Sequence, residues 1–278
     1  MNFTMGLAYP FTHHPCWSCN RDGLWARIHL PVAHSCNGKC AYCDHRLDAS
    51  GHMPVPGRSR RVMTPAQAVK VTLDEIEKDP NLRIVAISGP GEPLACPQTF
   101  ETLRGVRALS VDIEFCLSTN GVLLEEKTKR LVELGARTIS VTMSTVSPET
   151  ASQIYEWAMI DGKRLIGPEM GQKVIDAQLR GISSATKSGV FVKVNTILIP
   201  EMNGEQMESL ARALRDAGAR LQNIVSLIPF DNMVKERPPT QNELQDARNR
   251  ASRFMEQFHH CKQCRSDVVG IPGADRIL

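Results

Sequence analysis

Short β-branched runs alternate with longer amphipathic stretches along most of this chain of 278 residues, and no other feature restricts its fold as much. Strands are expected near 26–32, 83–88, 113–118, 138–142, 191–198 and 223–227. Helical periodicity fills 65–78, 97–108, 125–134, 171–187, 205–216 and 241–257, with Thr64, Asn203 and Thr240 as N-caps. Six such βα units joined by right-handed crossovers make three-quarters of a TIM barrel, with ligands at the carboxyl ends of its strands. The expected fold class is therefore α/β, a partial (β/α)6 barrel over residues 25–258. Segments 1–24 and 259–278 fall outside the repeat. Each is too short for a core of its own, and both are expected to lie as lids over the open side of the barrel.

A hydrophobic content of 42% supplies a full core, and a net charge of +3 with interspersed signs points to neither a nucleic-acid nor a membrane partner. The first fifteen residues lack a basic region followed by an apolar one, and no run reaches the ~18 apolar residues of a span. A cytoplasmic protein is expected. Its nine cysteines are an odd number at motif-like spacings, which fits metal ligation better than a disulfide framework.

Cys36, Cys40 and Cys43 form a C-x3-C-x2-C triplet in the loop after the first expected strand. Three thiolates hold three irons of a 4Fe-4S cubane and leave the fourth iron open to a small molecule. Zinc, the competing metal, wants a fourth ligand and usually paired C-x2-C hooks. The spacing resembles that of the radical S-adenosylmethionine (SAM) superfamily, which implies SAM chelated to the open iron and cleaved to a 5′-deoxyadenosyl radical.

Ile87-Ser-Gly-Pro-Gly-Glu-Pro93 follows the second strand. Gly89 and Gly91 allow close backbone approach and Glu92 offers a carboxylate, which suits the SAM ammonium; by itself the run is also ordinary turn chemistry. Ser118, Thr119 and Asn120 at the end of the third strand, and Asn195 with Thr196 in the fifth, put polar groups where the sugar and carboxylate of SAM would lie. Each is equally a cap for the following helix. Tyr42 has a ring to set beside the adenine or to fill the core. Cys261 and Cys264 form a second C-x2-C, and Cys16 adds a thiolate from the other terminus; the set suits a second 4Fe-4S cluster or, with a histidine, structural zinc. Cys116 and His29 point to the same rim if their strands are in phase, and are otherwise core fillers, as Cys96 is expected to be. Cys19 is a spare thiol or an alternative ligand.

With these residues in place, the chain resembles the NifB family of radical SAM proteins, which assembles the iron-sulfur core of the nitrogenase cofactor. The resemblance rests on His14-Pro-Cys16, Ala26-Arg-Ile-His29, Gly89-Pro-Gly-Glu-Pro-Leu94, Cys116-Leu-Ser-Thr-Asn-Gly121, Ile154-Tyr-Glu-Trp157, Val192-Lys-Val-Asn195 and Cys261-Lys-Gln-Cys-Arg265. It implies a SAM-cleaving cluster on the triplet and one or two auxiliary 4Fe-4S clusters fused into an eight-iron product whose carbide comes from a SAM methyl group. Cys16, Cys261 and Cys264 would hold one of these, and His29 with Cys116 part of the other. Cluster donor and acceptor proteins and a reductant such as ferredoxin are the implied partners. The family's cysteine six residues after the triplet is Ala49 here, which leaves His45, Asp48, His52 or Cys19 as replacement ligands, and a short form without the family's carrier domain is expected.

Two rival readings stand beside this one. A radical SAM enzyme acting on an organic substrate, like the molybdenum-cofactor GTP cyclase, would space a third tail cysteine farther along and end in Gly-Gly, whereas Cys264 is the last cysteine here. The other rival is a non-catalytic iron-sulfur carrier or zinc-stabilised scaffold.

Overall fold

A computed structural model describes residues 9–44, 57–109 and 111–278. In chain order its elements are β1 (Ala26–His29), β2 (Gly38–Cys40), α1 (Pro65–Lys78), β3 (Leu82–Ile87), α2 (Pro97–Arg107), β4 (Glu114–Thr119), α3 (Leu124–Glu133), β5 (Ala136–Thr142), α4 (Pro148–Ile154) and β6 (Tyr155–Ile160). Then come β7 (Lys163–Leu165), α5 (Gly167–Lys187), β8 (Phe191–Leu198), α6 (Pro200–Asn203), α7 (Met207–Asp216), β9 (Leu221–Ser226), α8 (Gln241–Ser252), β10 (Val268–Gly270) and β11 (Arg276–Ile277). The main sheet runs β11-β10-β1-β3-β4-β5-β8-β9. Its pairs from β1 to β9 are all parallel, so the six expected strands form the expected partial barrel.

The two faces of these strands differ in chemistry. Ile28, Val85, Ile87, Leu117, Ile139, Val141, Val192 and Val194 point outward into the core beneath the helices. The alternate positions Arg27 and His29, Cys116 and Ser118, Ser140 and Thr142, Lys193 and Asn195 point inward to a cavity. Strand pleating puts successive side chains on opposite faces, so one face carries the burial energy and the other is left for function.

Thr64 and Thr240 each form a complete capping box, with Gln67 and Glu243 respectively. Asn203 corrects its expectation. Its side chain caps no helix; instead it accepts from Ile199 N and donates to the carbonyls of Ser144 and Ile197, tying the ends of two strands together.

The terminal segments also differ from the lids expected. Phe11 packs on Phe191, Tyr9 reaches Thr138, and Trp17 clusters with Leu221 and Phe258. All three contacts lie at the amino-terminal ends of β5, β8 and β9, so the N-terminal segment plugs the bottom of the barrel. The tail becomes sheet: β10 pairs antiparallel with β1, and β11 with β10. A second sheet, β2-β6-β7, carries the cysteine loop on a hairpin after α4. Neither α4 nor this hairpin was expected, because 148–165 carries the alternation of no barrel unit.

Candidate functional site

The cysteine loop is fixed on both sides by backbone bonds. Asn37 O accepts from Met159 N and Ala41 N donates to Ile154 O, which anchors the loop to α4 and the hairpin. On the other side Gly91 N donates to Ala33 O and Glu92 N to Ser35 O. A Cβ at Gly91 would lie 2.4 Å from Ser35 O, so only glycine permits this approach. The GPGEP turn therefore serves first to clamp the triplet loop.

Glu92 is buried, and its carboxylate accepts from Leu94 N at 3.0 Å, Thr119 Oγ1 at 2.5 Å and Asn120 N at 2.6 Å. Burial pushes its carboxyl up, while these three donors pull the other way. Asn120 Nδ2 in turn donates to Asn37 Oδ1 at 2.7 Å, joining the end of β4 to the cysteine loop. Gln178, a buried polar residue on α5 that periodicity alone assigns to the core, donates to the carbonyls of Asn120 and Thr142 and to the Tyr155 hydroxyl.

One cavity of ≈ 340 Å³ runs through the barrel interior. Cys36, Cys40, Cys43, Tyr42, Gly91 and Glu92 line one part; Ser118, Thr119, Asn120 and Asn195 line its wall; Cys16, Cys116, Cys261, Cys264 and His29 line the remainder. Two predicted contacts do not reach it. Thr196 points outward, donating to Met143 O and accepting from Gln222 Nε2, because Asn195 and Ile197 take the inward phase of β8. Gly89 is needed for the tail instead: its φ is +147°, and a Cβ would meet Ser266 Oγ at 2.7 Å. Cys19 is exposed and Cys96 is buried against Ser35, both outside the cavity. The proposed replacement ligands His45, Asp48 and His52, like Ala49, lie outside the described residues.

Burial, then the neighbouring Glu92 carboxylate and the other two thiols, pushes the Cys36 thiol up. Burial and Cys43 push Cys40 up to about 12, against a hydrogen bond from Tyr42. Loading iron here must release protons, as thiolate ligation always does. Among the described residues no three His, Cys, Asp or Glu side chains converge on one ion; a cubane asks instead for one thiolate on each of three separate irons. The soft donor set, the glycine-clamped loop and the adjoining cavity suit such a cluster with SAM beside it.

His29 and Cys116 share one layer of the sheet, since both are in register with Ala86 between them. His29 Nδ1 lies 2.9 Å from Arg265 O and 3.1 Å from Ser88 Oγ, so the tail carbonyl fixes the ring and leaves Nε2 as the nitrogen that could take a metal. Burial and Arg27 hold His29 down to about 3, the neutral form that metals take.

The residues that sequence reasoning missed are basic. Arg27 has a fully buried side chain that donates to Gly270 O, to Cys264 Sγ at 3.0 Å and to Asp275 at 2.6 Å. Lys193, 3% exposed, donates to Cys16 O at 2.8 Å. The signal for both was strand phase, since each stands two residues before a named site residue, His29 and Asn195.

A parallel partial barrel with a three-cysteine loop after its first strand defines the radical SAM class, and residues 30–214 match the model of the Radical SAM superfamily. Solved structures at low identity share the fold: methylornithine synthase PylB at a TM-score of 0.56 (12% identity, 83% of this chain and 63% of that one), and anSMEcpe with bound AdoMet at 0.50 (17%, 73% and 51%). The FeMo cofactor biosynthesis protein NifB of Klebsiella pneumoniae is 41% identical over 270 residues, 95% of this chain and 58% of that protein. NifB of Methanocaldococcus jannaschii is 37% identical over 266 residues, 95% and 88%. The chain belongs to the NifB family of the radical SAM superfamily. It spans little more than half of the Klebsiella relative and most of the archaeal one.

Proposed function

We propose that the protein is a radical SAM enzyme that builds a complex iron-sulfur cluster for the nitrogenase cofactor, with 4Fe-4S clusters as its substrates. One observation carries this reading: a single cavity is lined at one part by the Cys36, Cys40 and Cys43 loop and at another by Cys16, Cys261 and Cys264 together with Cys116 and His29. So many soft ligands around one interior suit iron-sulfur substrates held beside the radical source.

When bound, the cluster on the triplet supplies the electron that cleaves SAM to methionine and a 5′-deoxyadenosyl radical. The chain's own residues set the geometry. Glu92, whose carboxylate Thr119 and Asn120 hold, would take the SAM amino group, and Ser118 and Asn195 would take its polar portions. Tyr42 orients the Cys40 sulfur through its hydroxyl. The plugged barrel bottom and the apolar outer layer shield the interior from water. Cys16, Cys261 and Cys264 hold one substrate cluster; Cys116 and His29 give two ligands to a second. Such a reaction needs a low-potential reductant such as ferredoxin, with cluster donor and acceptor proteins, in the reducing cytoplasm. Among the described residues no helix is long and apolar enough to cross a membrane.

Exchange of Cys40 for Ala is expected to abolish 5′-deoxyadenosine formation from SAM under dithionite, measured by chromatography of the anaerobic reaction. Formation at the parent rate would overturn the assignment. Removing Cys261 and Cys264 together is expected to cost about four irons per chain.

A further inference from the structure

The cavity's two groups of cysteines sit in opposite electrostatic surroundings. Around the triplet the charged neighbour lining the cavity is the buried carboxylate of Glu92, which acts on both Cys36 and Cys40. Around Cys16, Cys261 and Cys264 the neighbours are cationic. Arg27 donates directly to the Cys264 sulfur. Lys193 holds the Cys16 carbonyl, and Arg248 interacts with Cys261, whose sulfur also accepts from Gln263 N at 3.4 Å.

Lys193 is the unusual one of these. Its ammonium lies among the rings of Phe258 at 5.2 Å and Trp17 at 5.8 Å, and among the described residues no carboxylate pairs with it. Arg27 shares one carboxylate, Asp275, yet its Nε is buried without a partner. Buried cations left uncompensated are expensive, and a fold retains them where an anion arrives. A cubane bearing three thiolates is such an anion, and its reduction potential rises with nearby positive charge and with hydrogen bonds to its sulfurs.

We infer that Lys193 and Arg27 are the counter-ions of the cluster at Cys16, Cys261 and Cys264, and that they set its reduction potential above that of the SAM-cleaving cluster on the triplet. The inference rests on the ligand set proposed above. Its consequence is an ordered interior: an electron delivered to the triplet cluster meets a second cluster that is easier to reduce, so SAM must be seated before the electron arrives if it is to be cleaved.

The test is an anaerobic redox titration followed by electron paramagnetic resonance. A chain carrying Cys40→Ala and Cys116→Ala isolates the cluster in question, and a chain carrying Cys261→Ala and Cys116→Ala isolates the triplet. The expected midpoint of the first is the higher. Adding Lys193→Met to the first chain is expected to move its midpoint to lower potential, while Lys193→Arg restores it. Loss of that cluster's iron in Lys193→Met but not in Lys193→Arg supports the same role, since arginine keeps the cation that methionine removes. An unchanged midpoint in Lys193→Met with full iron overturns the inference and leaves the ligand set standing, as does loss of iron in both variants. Undiminished iron on adding Cys261→Ala to the isolating chain overturns the ligand set itself, and the counter-ion role falls with it.

Discussion

At the residue scale, the site depends on a few contacts whose tolerance is smaller than a methyl group. Gly91 is the sharpest case, because the atoms that a Cβ would strike belong to the Ser35 backbone, which cannot swing aside as a side chain would. Gly91→Ala must push the triplet loop outward. The expected outcome is a folded chain that loses most of its SAM cleavage and about four irons at the triplet while keeping the iron at Cys261 and Cys264, read by iron analysis of single-site variants. The three cysteines were legible in the sequence because their spacing is specific, whereas Gly91 and Glu92 gain meaning only from following them, since the run alone is ordinary turn chemistry. Lys193 and Arg27 were not legible, since a lone basic residue in a strand looks the same whether it faces solvent or a cavity.

At the element scale, helix ends and strand phase do most of the positioning. α8, which follows the last barrel strand, is held at its start by Thr240 and Glu243, with Arg237 bridging Glu243 to Glu201. The Arg237 guanidinium first, and then the Thr240 backbone and hydroxyl, hold the Glu243 carboxyl down to about 2 from an ordinary value of 4.5. A carboxyl depressed in the fold stabilises it above the unfolded value, and that contribution is lost as pH falls through the folded one. Glu243→Gln is therefore expected to lower the Tm at neutral pH, and its gap from the parent to close between pH 4.5 and pH 2, measured by circular dichroism melts. Strand phase explains the site contact that failed. Thr196 was grouped with Asn195 as one polar pair, but adjacent strand residues face opposite ways, and only Asn195 looks inward.

At the scale of the whole molecule, both chain ends complete the cavity. The tail adds β10 to the exposed edge of β1, carries Cys261 and Cys264 past the floor, and returns Asp275 to Arg27. A second buried pair, Arg265 with Asp267, ties the tail to the Arg60 backbone amide. Asp275→Leu would leave the buried Arg27 charge without its carboxylate. The expected cost is about 3 kcal/mol of folding stability, the range for breaking a buried pair from one side, seen as a lower urea midpoint at unchanged slope. The same pair links cluster site and fold, so tail and barrel are expected to unfold in one transition.

The sequence by itself determined the six βα units, the triplet, and the close pair Cys261 and Cys264, because hydrophobic period and short thiol spacing are local patterns that survive without neighbours. It did not determine that the N-terminal segment plugs the barrel's bottom, that the tail becomes sheet, or that two cations stand by Cys16 and Cys264. Those are properties of residues far apart in the chain, Arg27 with Asp275 and Cys16 with Lys193. Only the curl of the sheet, which turns β1 and β8 toward one interior, brings their charges together.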